Sequence, residues 1–414
     1  MNYLRGLIGI AVLIFIAYLF SSYRKKIDWK LVAAGIILQV VIAILVLKVP
    51  IIRNAFEAIG SGFVKFLGFA AYGAEFLFGD LARNSDVATH SRHNLGFLFA
   101  FQALPTVIFF SSVTSGLYYL GILQKIVYGF AWIMAKTMRL SGAESLSAAG
   151  NIFLGQTEAP LLVRPFIGKM TQSELHCLMT GGMATIAGSV MGAYITFLGG
   201  TDPEQLVKFA TYLLCASIMN APAAIVMSKI FLPETEPEKI DKSLRVNKDA
   251  IGVNVVDALA SGAADGLKLA LNIGAMLLAF IAVIYALNWI LVDGIGSWTG
   301  LNAWVVESTG GAFNGFSLQY IFGQIFRLFA FAMGVNWSET LQVGSLLGQK
   351  MVINEFVAYL SLADMKEAGL LSEKSIIISS YAVCGFANFS SIAIQIGGIG
   401  GWHLIGKVIC RVLE

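Results

Sequence analysis

The sequence predicts an all-α polytopic membrane protein made of inverted repeats, each carrying a re-entrant helical hairpin. Three observations predict it. The first is composition: of 414 residues, 57% are hydrophobic and only 13% charged, with a mean hydropathy of +0.76. A soluble domain carries about 25% charged residues, and so few charges cannot make the surface of a 414-residue globule polar. The second is a series of apolar runs near the 20 or so residues needed to cross hydrocarbon. The third is a pair of apolar stretches interrupted by polar residues, which follow one another in the same order of features.

Other classes fall away. Eight prolines and four cysteines exclude a disordered or disulfide-built chain. A net charge of +3 without a basic stripe gives no reason to expect nucleic acid. Cys177, Cys215, Cys384 and Cys410 lack metal or redox spacing and read as small buried hydrophobes. His90 and His93 share a polar loop that reads as solvated, and His176 and His403 are isolated. Neither a P-loop, a Gly-rich dinucleotide turn nor a Ser-His-Asp order gives enzyme chemistry a footing.

The predicted spans are Tyr3–Phe20, Leu31–Val49, Phe97–Leu123, Leu175–Leu198, Leu206–Leu232, Leu267–Val292 and Ile376–Ile396. Arg24, Lys25, Lys26 and Lys30 put the loop after the first span on the cytoplasmic side and the N-terminus outside. Ile51–Phe78, with Arg53, Glu57, Lys65 and Glu75 among aromatics, reads as a helix lying in the interface. Pro233–Asp249 reads as a charged cytoplasmic linker, and Asn254–Lys268 as an amphipathic helix leading into the next span.

Two stretches do not read as simple spans. Glu144–Met170 holds Asn151, Gly155, Gln156, Thr157, Glu158 and Pro160; Glu339–Ala363 holds Gln342, Gln349, Lys350, Asn354 and Glu355. Facing lipid, such groups would go unsatisfied; lining a wet cavity, they are tolerated. Re-entrant hairpins with tips at Gly155–Glu158 and around Asn354–Glu355 satisfy both conditions. The halves repeat in order: Glu144-Ser-Leu precedes Glu158 as Glu339-Thr-Leu precedes Glu355. Ser173-Glu174 and Ser372-Glu373 then open apolar segments broken at Ala184–Gly188 and Phe386–Ser391. Repeats with paired broken helices point to a secondary transporter with its site at the membrane midplane.

Intramembrane carboxylates are costly and mark function. Glu158 and Glu355, with Gln156, Thr157, Asn388 and Ser391, suit a neutral polyhydroxylated or amide-bearing solute better than an anion. Arg164 and Lys350 are single cations able to neutralise the glutamates. Phe356, Phe386 and Phe389 offer apolar surface for a ring. Asn151 and Thr185, with the carbonyls of Leu154 and Ile186 near the breaks, supply the hard oxygens a sodium ion needs.

The run from Ser147 through Asn151, Gly155-Gln156-Thr157-Glu158 and Pro160 to Arg164-Pro165 closely resembles the first hairpin of concentrative nucleoside transporters. Asn354-Glu355-Phe356-Val357-Ala358-Tyr359 resembles their second hairpin, and Cys384-Gly-Phe386-Ala-Asn388-Phe-Ser-Ser391 their late substrate-binding helix. The resemblance implies sodium- or proton-driven nucleoside uptake by a homotrimer of the elevator type in a bacterial inner membrane. It implies that Gly155, Gln156, Thr157 and Glu158 meet the nucleobase, with Leu271 beside them. Glu355, Asn388 and Ser391 then hold the ribose, and Phe386 lines the pocket. It places sodium on Asn151, Leu154, Thr185 and Ile186, and the asparagine favours sodium over protons. No organic cofactor is implied.

The expected organisation is two spans with interfacial helices over 1–94, a first repeat over 95–200 with its hairpin at about 143–170, and a connecting region over 201–267. A second repeat follows over 268–400, with its hairpin at about 338–364. A 401–414 tail stands where family members continue into a final helix, which puts the C-terminus inside. Pyrimidine nucleosides such as uridine are the expected cargo. The rival readings are a proton-coupled carrier and, from other classes, a membrane-embedded nucleoside receptor or enzyme.

Overall fold

The structure, a computed structural model, describes residues 2–82, 97–241, 243 and 252–400. The predicted His90–His93 loop, most of the second half of the charged linker, Cys410 and the 401–414 tail lie outside the described residues. The described chain is helical, with no strand among the described residues, as the composition predicts. It begins with α1 (Asn2–Leu19), α2 (Trp29–Lys48), α3 (Pro50–Phe78), α4 (Leu104–Tyr119) and α5 (Ile122–Met138). The first hairpin and broken helix follow as α6 (Gly142–Gly150), α7 (Gln172–Ala184) and α8 (Gly188–Gly199). Next come α9 (Pro203–Phe231), α10 (Val255–Asn288), α11 (Leu301–Ser308) and α12 (Leu318–Ala332). The second set is α13 (Thr340–Val352), α14 (Glu355–Glu367), α15 (Glu373–Val383) and α16 (Phe389–Gly400).

Among the described residues, five stretches are long and apolar enough to cross a membrane: Trp29–Val46, Phe99–Tyr119, Gln172–Gly199, Pro203–Phe231 and Val255–Thr299. Arg5–Leu19 and Leu318–Ala332 are shorter apolar helices. One predicted element differs. Asn254–Lys268 is no separate helix: it runs unbroken into the next span as the 34-residue α10, which holds no proline and no left-handed glycine to stop it. Leu175–Leu198 and Ile376–Ile396 are each two half-helices, α7 with α8 and α15 with α16, parted at the polar, small-residue stretches the sequence singled out.

The described residues cluster into two compact units, one within Ala17–Asn272 and Ser391–Glu414, the other within Met1–Ile16 and Ile273–Ser390. In the first, α9 packs against α2, α3, α7 and α8. The buried stripe of α3 (Gly60, Leu67, Ala70, Ala74) recurs at helical spacing. Phe66 meets Phe109 of α4 at 4.8 Å between ring centroids. The roots of the first hairpin are set by two capping boxes, Ser141 with Glu144 and Thr171 with Glu174, each satisfying orphan amides at a helix start. Glu144 also pairs with the buried Lys229 of α9, whose ammonium donates to Ser173 at 2.8 Å.

In the second unit α12 and α13 pack along each other. Arg5 donates to the carbonyls of Phe331 and Val335, with its guanidinium 4.2 Å over the Phe331 ring. Val305, Phe313 and Tyr320 form a small core. Glu339, at the start of α13, accepts from the backbone and hydroxyl of Ser372 at 3.1 and 2.9 Å. Glu144 and Glu339 thus do the same work in the two repeats, each a carboxylate rooting a hairpin.

Candidate functional site

In the first repeat the backbone stops being helical where the sequence places its polar run. α6 ends with Asn151 as its C-cap, and the tip folds back on itself at Gly155. Glu158 accepts from the Gly155 amide at 3.0 Å, while the Gly155 carbonyl accepts from the amides of Glu158 and Ala159. α7 ends with Thr185 as its C-cap, and α8 restarts at Gly188. The Gly188 amide donates to the Phe153 carbonyl at 3.0 Å, locking the tip to the break.

Two helix C-termini, those of α6 and α7, therefore end among Asn151, Leu154, Thr185 and Ile186. Each helix end carries partial negative charge. Asn151 is fully buried, and neither its Oδ1 nor its Nδ2 has a hydrogen-bond partner among the described residues. Ser147, one turn earlier, and Ser189 are likewise buried with unpartnered hydroxyls. Thr185 donates its proton to the Gly181 carbonyl at 2.9 Å, which leaves its oxygen lone pairs free. Such buried polar atoms each cost about 1–3 kcal/mol unless something meets them. Hard oxygens at helix C-termini are what a monovalent cation requires.

Gln156 is buried and donates to Ser391 Oγ at 3.0 Å. Its carboxamide oxygen accepts from Gln395 at 3.2 Å. Thr157 is exposed and Glu158 half-buried. Leu271 is 63% exposed on α10 and stands outside this hydrogen-bonded group.

In the second repeat Asn354 caps α14 by accepting from the Val357 amide at 3.0 Å, which sets Glu355 at the helix start. α15 ends at Val383, and the chain crosses to α16 through Gly385, whose φ of +150° a side chain would resist. Asn388 donates to Glu355 Oε2 at 2.9 Å, and Ser390 donates to Asn388 Oδ1 at 2.6 Å. Lys350 donates to the Ala382 carbonyl at 2.9 Å. Phe386 is half-buried, Phe356 buried and Phe389 59% exposed.

Within each unit the predicted residues come together: Asn151, Leu154, Gly155, Gln156, Glu158, Thr185, Ile186 and Ser391 in one, Glu355, Phe386 and Asn388 in the other. Sequence reading missed Gln395, Ser147 and Ser189. Gln395 lies four residues after Ser391, hence on the same helical face, which is the signal that finds it.

Paired hairpins and paired broken helices, each with a buried polar cluster at the break, define a secondary membrane transporter. Comparison with known proteins agrees. Family models described as "Na+ dependent nucleoside transporter N-terminus", "Nucleoside recognition" and "Na+ dependent nucleoside transporter C-terminus" match residues 8–81, 100–201 and 212–404. An uncharacterized transporter of Haemophilus influenzae is 42% identical over 405 residues, covering 97% of this chain and 90% of that one. Sodium/nucleoside cotransporter 1 of Mus musculus is 40% identical, covering 94% of this chain and 57% of its own length. The structure of CNTnw in an inward-facing substrate-bound state superposes with a TM-score of 0.87 at 40% identity, over 100% of this chain and 92% of that one. Substituted forms of CNTnw have also been solved in outward-facing and intermediate states. The chain belongs to the Na+ dependent nucleoside transporter family, a family of transporters rather than enzymes.

Proposed function

We propose that this protein is a sodium-driven symporter importing nucleosides, pyrimidine nucleosides first, by an elevator movement within a homotrimer. The observation that carries the coupling ion is Asn151, wholly buried with an unpartnered amide where two helices end. Sodium held by Asn151 Oδ1, Thr185 Oγ1 and the carbonyls of Leu154 and Ile186 would complete those valences. It would also fix the tip that carries Gly155, Gln156, Thr157 and Glu158. Ion binding then preorganises the base-binding residues, and the nucleoside in turn favours the ion-bound tip; that reciprocity is symport in thermodynamic form.

Glu355 and Asn388 take the ribose: the carboxylate accepts from the vicinal hydroxyls and the amide nitrogen donates to them. Family resemblance assigns Ser391 to the ribose as well, and Phe386 gives the ring an apolar wall. Leu271 is assigned to the base, and the trimer proposed, on family resemblance; cross-linking in native-like lipid tests the trimer. Radiolabelled uridine uptake into proteoliposomes, with an inward sodium gradient and then with choline, tests the whole reading. Accumulation only with sodium supports it. Uptake that ignores sodium and follows pH replaces it with proton coupling.

A further inference from the structure

We propose that Gln395 is a positioning residue that fixes which end of the Gln156 carboxamide faces the nucleobase, and so sets which bases are accepted. This rests on the proposed placement of Gln156 at the base. Gln395 is 1% exposed on α16. Its Nε2 donates to the Met179 carbonyl of α7 at 3.0 Å and to Gln156 Oε1 at 3.2 Å. A backbone carbonyl can only accept. The Met179 carbonyl therefore demands the amino end of Gln395, and that amino end demands the oxygen of Gln156. The Gln156 nitrogen is left on the opposite side, where it donates to Ser391 at 3.0 Å. Its second N–H has no partner among the described residues.

One main-chain carbonyl thus passes its polarity through two side chains and leaves an N–H donor at the hairpin tip. The matching base group is an acceptor: a ring carbonyl or an unprotonated ring nitrogen. Gly182 makes room for the relay, since a Cβ there would sit 2.7 Å from Gln395 Nε2 and 3.1 Å from Gln156 Cβ.

The test is competition against radiolabelled uridine by pyrimidine ribosides lacking the 2-oxo or the 4-oxo group, one at a time, alongside 2′-deoxyuridine. In the wild type, removing the acceptor that Gln156 reads should weaken competition about tenfold, the loss of one hydrogen bond to a buried donor. Gln395→Leu, Gln395→Met and Gly182→Ala should each reduce that penalty below about threefold, with 2′-deoxy discrimination and sodium dependence unchanged. Adding Gln395→Leu to Gln156→Leu should change the base panel less than about twofold, because the first acts through the second. A penalty kept in the Gln395 variants but lost in Gln156→Leu overturns the relay alone. Loss of base and sugar discrimination together also overturns it, since that is what a merely structural residue would do. A penalty absent from the wild type, or kept in Gln156→Leu, removes Gln156 from the base and fails the reading beneath.

Discussion

Asn388 donates its amide to Glu355 at 2.9 Å, with both side chains almost wholly buried. Ser390 holds the other end of that amide at 2.6 Å, so the nitrogen of Asn388 faces the carboxylate. The pair joins the second hairpin to its broken helix and presents a charged acceptor beside an amide donor.

Glu355→Gln keeps the size and the bond to Asn388 but removes the charge. Hydrogen bonds to a charged group are worth about 1.5–3 kcal/mol each, so losing two weakens binding about 100-fold or more. Uridine uptake by Glu355→Gln should fall to background while the protein inserts normally. 2′-Deoxyuridine and 3′-deoxyuridine should each compete more weakly than uridine in the wild type. Normal transport by the variant would remove Glu355 from the ribose site.

Asn151→Leu fills the buried position without an oxygen, and Thr185→Val replaces a hydroxyl by a methyl of the same size. Sodium chloride, compared with choline chloride, should raise the melting temperature of the wild type and not that of Asn151→Leu. Thr185→Val should need about tenfold more sodium for the same stabilisation, the loss of one ligand. Sodium stabilisation of Asn151→Leu equal to the wild type would place the ion elsewhere.

Much of this was readable in the residues, for physical reasons. A Gly-Gln-Thr-Glu run cannot face lipid, so the hairpin tip announced itself, and the small-polar breaks at 184–188 and 386–391 fell where helices stop. The capping boxes at Ser141 and Thr171 follow the Ser/Thr-x-x-Glu spacing and were open to the same reading. What the sequence hid is long-range pairing. Nothing near Glu144 names Lys229, 85 positions on. Gln395 joins Gln156 and Met179 only because separate helices converge. The continuity of α10 was also hidden, since amphipathic and spanning patterns merge without a cap between them.

Lys229 and Glu144 are a buried ion pair, so removing one partner strands the other. Lys229→Met should cost about 3–5 kcal/mol, read as a lowered melting temperature in detergent. The double variant Glu144→Gln, Lys229→Met, which keeps an acceptor for the Ser141 amide, should recover most of that loss, because no charge is then left buried alone. A double variant no more stable than the single would mean the charges themselves hold the hairpin root.

The two breaks differ in how their helix ends are met. In the first repeat the C-termini of α6 and α7 present Asn151 and Thr185, side chains that bring no charge of their own. In the second, Lys350 in the last turn of α13 gives its ammonium to the Ala382 carbonyl at the end of α15. The protein's own cation thus meets the negative helix end, and the second hairpin is fastened to its break without a dissolved ion. Lys350→Met leaves that carbonyl without its partner, and a charge-assisted bond is worth about 1.5–3 kcal/mol. Uridine uptake should fall at least about tenfold, and the hairpin should become more open to protease. Lys350→Arg keeps a donor and a charge and should retain part of the activity. The concentration of sodium giving half-maximal stabilisation should stay the same in both variants, because the first repeat is untouched. A shift in that concentration would mean that Lys350 acts on the ion site rather than on its own hairpin.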